Sequence, residues 1–217
     1  MDHPVNEHFP LPVFLNISGQ KCVIVGGGTV ALRKANELLE AGAAVTIVAE
    51  HPSPEIESFA EQCVLNLIKR RFVPSDIDGA LIVIAATDDE SVNREISIAA
   101  KKKSVLVNVV DSPDLCDFFS GAVVKRGPLR IAISTSGLFP TFSADIRREL
   151  EEQFSESFGD YIRAASELRR YVLSLDTVSD EQKHKALKWL AKKESFTLFL
   201  KEGKDNLWVK LKKIIFS

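Results

Sequence analysis

Cysteine is scarce in this chain, and the little there is cannot staple it. Cys22, Cys63 and Cys116 are odd in number, widely spaced and free of any C-x-x-C pair, which excludes a disulfide framework and a structural zinc site. They read as reduced thiols: Cys22 as strand core, Cys116 as packing, with metal ligation the alternative for the latter. The four histidines, His3, His8, His51 and His184, have no metal-ligand spacing. No G-x-S-x-G occurs and no histidine has an assignable partner, so a nucleophilic triad has no basis. Charge of one sign is not in excess either. The 28 Lys and Arg against 30 Asp and Glu leave a net charge of -2, which argues against wholesale nucleic-acid binding. No apolar run approaches the length of a membrane span, and the first eight residues lack the basic and apolar regions of a secretion signal. A cytoplasmic location, with neither nucleic acid nor membrane as partner, is the expectation. Internal repeats and low-complexity segments are absent.

At 217 residues and 45% hydrophobic, the chain can bury one substantial core and still form a smaller second unit. Short β-branched runs alternate with helical segments through the first half, the pattern of a parallel sheet covered by helices. Strands are expected at Val13–Ile17, Lys21–Val25, Val45–Ala49, Val64–Ile68, Leu81–Ala86 and Val105–Val110. Ala31, Ala35, Leu38 and Leu39 give one helix a single apolar face that stops at Ala41-Gly42. Val92, Ile96, Ala99 and Ala100 do the same for a helix ending in Lys101-Lys102-Lys103, cations favoured by the helix dipole.

After residue 114 the alternation changes. Runs at Phe118–Val124 and Leu129–Ser134 flank Lys125-Arg126-Gly127-Pro128 and predict a hairpin. Its edges need a partner, most economically a second subunit, so a homodimer is expected. From Phe142 the sequence is helical. Phe142, Ile146, Leu150 and Phe154 form one stripe and predict core. Further amphipathic stretches cover Glu181–Phe199 and Asn206–Phe216. The last, with Trp208, Leu211 and Ile215 beside Lys210, Lys212 and Lys213, reads as packing on earlier helices rather than as a membrane-touching tail. The expected organisation is a dinucleotide-binding domain over 1–114, a dimerisation region over 115–150 and a helical domain over 151–217.

The segment Val25-Gly26-Gly27-Gly28-Thr29-Val30-Ala31 carries the most chemical information. It turns a strand directly into a helix through G-x-G-x-x-A, from Gly26 through Gly28 to Ala31. Gly26 permits the bend, Gly28 lets backbone approach a pyrophosphate, and Ala31 lets helix and strand pack closely. A second strand ends in Glu50, 24 residues beyond Gly26, where a carboxylate can bond a ribose 2′-hydroxyl and would repel a 2′-phosphate. The fold class that follows is α/β, a Rossmann-type parallel sheet domain with a smaller helical domain after it.

In such a sheet the ligand lies beyond the carboxyl ends of the strands. Three clusters stand there: Thr87-Asp88-Asp89, Asn108-Val109-Val110-Asp111 and Ser134-Thr135-Ser136-Gly137. Asp111 is the candidate for proton chemistry beside a hydride acceptor, with a turn or capping aspartate as the alternative. Asp88 reads either as a cofactor contact, with Thr87, or as the cap of the helix containing Val92. Ser134, Thr135 and Ser136, just before a helix, can hold carboxylates, or simply cap that helix.

Taken in order, the residues from Phe9 to Leu15, the run Val23 to Lys34, Ala85-Ala86-Thr87-Asp88-Asp89, Val92-Asn93, Asn108-Val109-Val110-Asp111 and Ile131 to Gly137 closely resemble the siroheme synthase N-terminal family. The resemblance covers about residues 9–150. It implies NAD-dependent oxidation of precorrin-2 to sirohydrochlorin, followed in some members by insertion of Fe2+, and a fold with a strand-swapped dimerisation region. It implies that Thr29, Val30, Glu50 and His51 contact the cofactor, with Gly26, Gly28, Thr87 and Asp88. It makes Asp111 the aspartate serving both dehydrogenation and chelation. Thr135 falls at the position of a serine in the substrate cleft, with Asn108, Ser134 and Ser136 as its neighbours there, and Lys125, Arg126 and Arg147 are basic groups suited to the carboxylates of a tetrapyrrole. The chain departs from the family at Ser136-Gly137-Leu138-Phe139-Pro140, where a phenylalanine replaces a serine. No methyltransferase domain follows, so methylation is expected from another protein. The alternative is a nucleotide sensor built on the same domain, which would have no need of Asp111.

Overall fold

The computed structural model describes residues 9–216. The chain divides into two compact units, Met1–Ser120 and Gly121–Ser217. His3, His8 and the leader reading of the first eight residues lie outside the described residues.

The first unit is a five-stranded sheet of β1 (Lys21–Val25), β2 (Ala44–Val48), β3 (Asn66–Ile68), β4 (Ile82–Ala85) and β5 (Leu106–Val109), in the order β3-β2-β1-β4-β5. Every pairing is parallel. The helices are α1 (Thr29–Glu40), α2 (Pro54–Glu61) and α3 (Glu90–Lys103). Strand side chains alternate between two apolar layers. Cys22, Ile24, Val45, Ile47, Ile82 and Ile84 pack with Ala31, Ala35, Leu38 and Ile56 from α1 and α2. Val23, Val25, Val48, Val83, Ala85, Val107 and Val109 pack with Ile96, Ala99 and Ala100 of α3. Burial on both faces explains the continuous β-branched runs in the sequence. The lysine run forms the last turn of α3, and Ser104 in the left-handed region closes it.

Two expected strands need correction. Val13–Ile17 is not a strand: residues 9–16 are irregular and exposed, and only Ile17 is buried. The sheet ends at β3 and β5, and this segment pairs with neither edge. The run Val64–Ile68 shortens to Asn66–Ile68, because Cys63 is left-handed and the Val64 N–H still bonds back to Phe59 as α2 exits.

The second unit contains the antiparallel hairpin β6 (Ala122–Arg126) and β7 (Leu129–Ile133) and helices α4 (Pro140–Gln153), α5 (Ser157–Leu173), α6 (Asp180–Leu190) and α7 (Lys193–Ile215). The turn is tighter than the sequence suggested. Gly127 at φ 55° and Pro128 make it alone, so Lys125 and Arg126 belong to the strand. Leu168, Val172, Leu190, Leu207, Leu211 and Ile215 form the core here, and the lysine-rich end of α7 packs as expected. The predicted stripe on α4 is corrected. Phe142 is exposed, Ile146, Leu150 and Phe154 are half-buried, and Ser143 is the buried residue of that helix. The stretch expected at Glu181–Phe199 breaks between α6 and α7. There the buried Ser195 hydroxyl donates to the carbonyls of Leu190 and Lys192.

Between β3 and β4 the chain carries an ion pair of its own, Arg70 with Asp76. Arg70 donates to Asp76 through Nη1 at 2.9 Å and Nη2 at 2.6 Å, and the Val73 N–H donates to the same carboxylate at 2.9 Å. Burial alone would raise the Asp76 carboxyl, but the Arg70 and Val73 hydrogen bonds and the charges of Arg70 and Lys21 outweigh it and hold it below its ordinary value. Arg70 is half-exposed, so the pair is screened, and Asp76→Asn should cost about 1–2 kcal/mol at neutral pH. A depressed carboxyl contributes its stability above its unfolded pKa and loses it as the pH falls through the folded value. The gap in Tm between wild type and Asp76→Asn should therefore close on acidification below about pH 4. Thermal melts across that range check it; a gap that stays constant would assign the effect to shape.

Candidate dinucleotide site

The site forms where β1 ends between β2 and β4. The chain leaves β1 through α1 toward β2 and later returns across β1 to β4, and at such a reversal the two connections diverge and open a crevice. A cavity of about 800 Å³ lies there, lined by residues 25–30, 48–53, 70–72 and 86–89 together with Val92 and Glu95.

Each glycine of the turn has its own reason. Gly26 sits at φ 133°, its N–H donates to Val48, and a Cβ added to it would lie 2.2 Å from the Ala86 carbonyl oxygen. A Cβ on Gly27 would lie 2.4 Å from the His51 carbonyl oxygen. Gly28 is different: its φ is -91°, and a Cβ there would meet nothing within 4 Å. Its neighbour is the open space of the cavity. No side chain caps α1, so the N–H groups of its first turn are left for an acceptor and carry the positive end of the helix dipole. Ala31 is fully buried under this turn. Glu50 stands exposed at the end of β2, and its Oε2 accepts from Arg71 Nε at 3.0 Å. Thr29, Val30, His51, Thr87 and Asp88 line the same cavity. These features fit a dinucleotide, with the uncapped α1 taking its diphosphate and Glu50 its ribose.

Asp88 does not cap α3. Asp89 does, accepting from the Ser91 N–H at 2.8 Å and the Val92 N–H at 3.3 Å. The Ser91 hydroxyl, these N–H groups and the charge of Arg71 hold the Asp89 carboxyl below its ordinary value. Thr87 braces the start of α3, with Oγ1 2.8 Å from Asn93 Oδ1 and its carbonyl accepting from Asn93 Nδ2.

Asp111 follows β5 in the left-handed conformation, φ 59°. It is exposed, with no side-chain partner among the described residues. Its loop is pinned at the base. Cys116 Sγ accepts from the Val109 N–H at 3.1 Å and donates to the carbonyls of Val109 and Ser112. Asp117 accepts from the Val107 N–H at 3.1 Å, and buried Asn108 donates from Nδ2 to the Phe118 carbonyl at 2.9 Å. Burial raises the Cys116 thiol, with the Asp117 charge adding to it, against the hydrogen bond from Val109. No group of three or more metal-binding side chains occurs among the described residues.

In the second unit, Thr135 Oγ1 accepts from the Phe139 N–H at 3.2 Å and contacts Ser143 Oγ at 3.1 Å, and Ser134 Oγ accepts from the Ser136 N–H. These hydroxyls brace the start of α4. Two of the basic groups named for a tetrapyrrole are engaged elsewhere. Arg126 donates to the carbonyls of Glu151 and Phe154 at the end of α4, and Arg147 pairs with Glu151 at 2.6 Å. Arg70 and Arg71 line the cavity but stand outside the three clusters read from the sequence; the basic run Lys69-Arg70-Arg71 directly after β3 is the signal that points to them.

An open parallel sheet with a glycine turn and an uncapped helix at its reversal point defines a dinucleotide-binding domain. A family model described as putative NAD(P)-binding matches residues 13–122, and one described as sirohaem biosynthesis protein central matches residues 126–153. The chain belongs to the siroheme synthase N-terminal family. Siroheme synthase of Methylococcus capsulatus is 41% identical over 162 residues, which cover 75% of this chain and 34% of that protein. Siroheme synthase 2 of Cronobacter sakazakii is 38% identical over 183 residues, 84% of this chain and 38% of that one. The chain thus spans little more than a third of these relatives. Among solved structures, the precorrin-2 dehydrogenase SirC superposes with a TM-score of 0.81 at 28% identity, over 94% of this chain and 100% of that one. No helix among the described residues is long and apolar enough to cross a membrane.

The open space at Gly28 yields a direct test. Gly28→Val should leave the fold intact, because nothing of the protein stands where the side chain would go, yet it should obstruct a diphosphate on α1. Calorimetric titration with NAD+ beside a circular-dichroism melt should show binding lost and Tm nearly unchanged. Gly26→Val, with its clash at Ala86, should lower the Tm itself.

Proposed function

We propose that this chain oxidises precorrin-2 to sirohydrochlorin with NAD+. The observation that carries the reading is the likeness to the precorrin-2 dehydrogenase SirC along nearly the whole chain. The dinucleotide cavity and an unpartnered carboxylate at the end of β5 agree with it. Bound NAD+ supplies the hydride acceptor. The protein's part is to hold that acceptor on the first turn of α1 and on Glu50, and to take up the proton that leaves with the hydride. Asp111 is the base we assign. Its left-handed backbone is a sparsely populated conformation for a residue with a side chain, kept in place by the bonds of Cys116, Asp117 and Asn108 at the base of the loop. Removing hydride and proton together extends the conjugation of the macrocycle.

We further assign Asn108, Ser134, Thr135 and Ser136 to the substrate side and Thr29, Val30, His51, Thr87 and Asp88 to the cofactor side. The region 115–150 is assigned to homodimer formation. Among the described residues, β6 and β7 pair only with each other, and Leu138, Phe139 and Phe142 are exposed. A cytoplasmic location agrees with this chemistry. If Fe2+ is a second substrate, the Asp111 carboxylate would accept the pyrrole protons that the metal displaces.

Anaerobic incubation with precorrin-2 and NAD+, following sirohydrochlorin by its absorbance, tests the reading. Asp111→Ala should slow oxidation roughly 10²–10⁴-fold, the loss expected when a positioned base is removed, with NAD+ affinity little changed. Adding Fe2+ after oxidation reads chelation, which should fall in the same variant. Oxidation at the wild-type rate would make Asp111 a turn residue only.

A further inference from the structure

The rim of the cavity holds two opposed charges where a ribose 2′ position would lie. Glu50 lies two residues beyond the end of β2, Arg71 three residues beyond the end of β3, and their side chains meet at 3.0 Å. The neighbouring Arg70 is engaged by Asp76 through two hydrogen bonds. Arg71 has no such anchor: its side chain is 86% exposed, and its side-chain partner among the described residues is half-exposed Glu50. Its charge also reaches Asp89 at the start of α3, where it helps to lower that carboxyl. Arg71 and Glu50 both line the cavity.

We propose that the Glu50–Arg71 pair sets the choice between NAD+ and NADP+, with Arg71 a 2′-phosphate receptor that Glu50 keeps occupied. The inference rests on the dinucleotide reading of the cavity. A carboxylate at the end of β2 accepts from a 2′-hydroxyl and repels a 2′-phosphate, whereas an arginine beside it accommodates the phosphate. This chain carries both groups in contact. With Glu50 present, NADP+ must break the ion pair and bring its phosphate against a carboxylate. With Glu50 removed, Arg71 is released next to the phosphate, and guanidinium and phosphate suit each other geometrically. In the wild type, Arg71 in turn holds the Glu50 carboxylate at the ribose and neutralises part of its charge, so discrimination is weaker than a bare carboxylate would impose. An exposed pair of this kind breaks at little cost, which lets one substitution move the balance.

Calorimetric Kd values for NAD+ and NADP+ with the full chain test this. Glu50→Ala should improve the affinity for NADP+ relative to NAD+ by roughly tenfold or more, the worth of a charge-assisted hydrogen bond regained. Arg71→Ala should shift the ratio the other way. The double variant should lose the gain of Glu50→Ala. Both side chains are exposed, and unchanged Tm values confirm that folding is not being read. If the double variant keeps the gain, or Glu50→Ala leaves the ratio unchanged, Arg71 is not the receptor. If Arg71→Ala weakens both dinucleotides equally, Arg71 serves the diphosphate instead and the inference fails. Wild-type protein that binds neither dinucleotide would overturn the reading of the cavity itself, a result distinct from the others.

Discussion

The approach of the Gly26 backbone to Ala86 is the contact on which the site depends. β1 lies in register between β2 and β4, with Val25 opposite Val48 on one side and Ala85 on the other. The chain must therefore turn into α1 in the gap left by the next residue of β4. Without a side chain, Gly26 passes under the Ala86 carbonyl; with one, β1 and β4 would have to separate or the turn would have to lift. Lifting it would carry away the uncapped first turn of α1, whose N–H groups make the crevice attractive to a phosphate. Gly27 repeats the constraint against His51. The sheet order, the helix start and the cavity are thus one geometric solution.

The cavity is lined by Glu50, Asp88, Asp89 and Glu95, an unpromising set for a ligand carrying phosphates. The structure reduces that negative charge locally. Asp89 faces the N–H groups of Ser91 and Val92, and Glu50 faces Arg71. Arg70 lines the cavity but is drawn to Asp76 and stabilises the chain there. What remains toward the diphosphate is the helix dipole and the backbone amides, which carry no titratable group and no side-chain freedom to lose on binding.

Asp111 has the opposite arrangement: its loop is tied at the base by hydrogen bonds, while its carboxylate has no side-chain partner among the described residues. Cys116, Asp117 and Asn108 tie the segment after β5 back to the strand, so a residue in an unfavourable backbone conformation is held by neighbours that have no direct chemistry. The same economy explains Arg126 and Arg147. A strand arginine beside the end of a helix finds unsatisfied carbonyls, and an arginine four residues before a glutamate on one helix face finds a partner. Both therefore stabilise the second unit before any ligand is considered.

Much of this was legible in the sequence. The five strands, the turn with its glycines and the helices α1 and α3 follow from β-branched runs, 3.6-residue periodicity and the steric freedom of glycine, all local properties of the chain; the short α2 carries too few apolar residues to show a period. Asp111 and Glu50 were legible for a related reason, since residues immediately after strands must emerge at one end of a parallel sheet. Long-range partners were not. Val13–Ile17 has the pattern of a strand but joins neither edge of the sheet, and the α4 stripe has the spacing of a core face but remains half-covered. Asp89 took the cap expected of Asp88 because the helix begins one residue later. The pairings of Arg71 with Glu50 and Arg70 with Asp76 bring together side chains 21 and 6 residues apart. Periodicity states which face a residue occupies; only the folded chain decides which charge stands across from it.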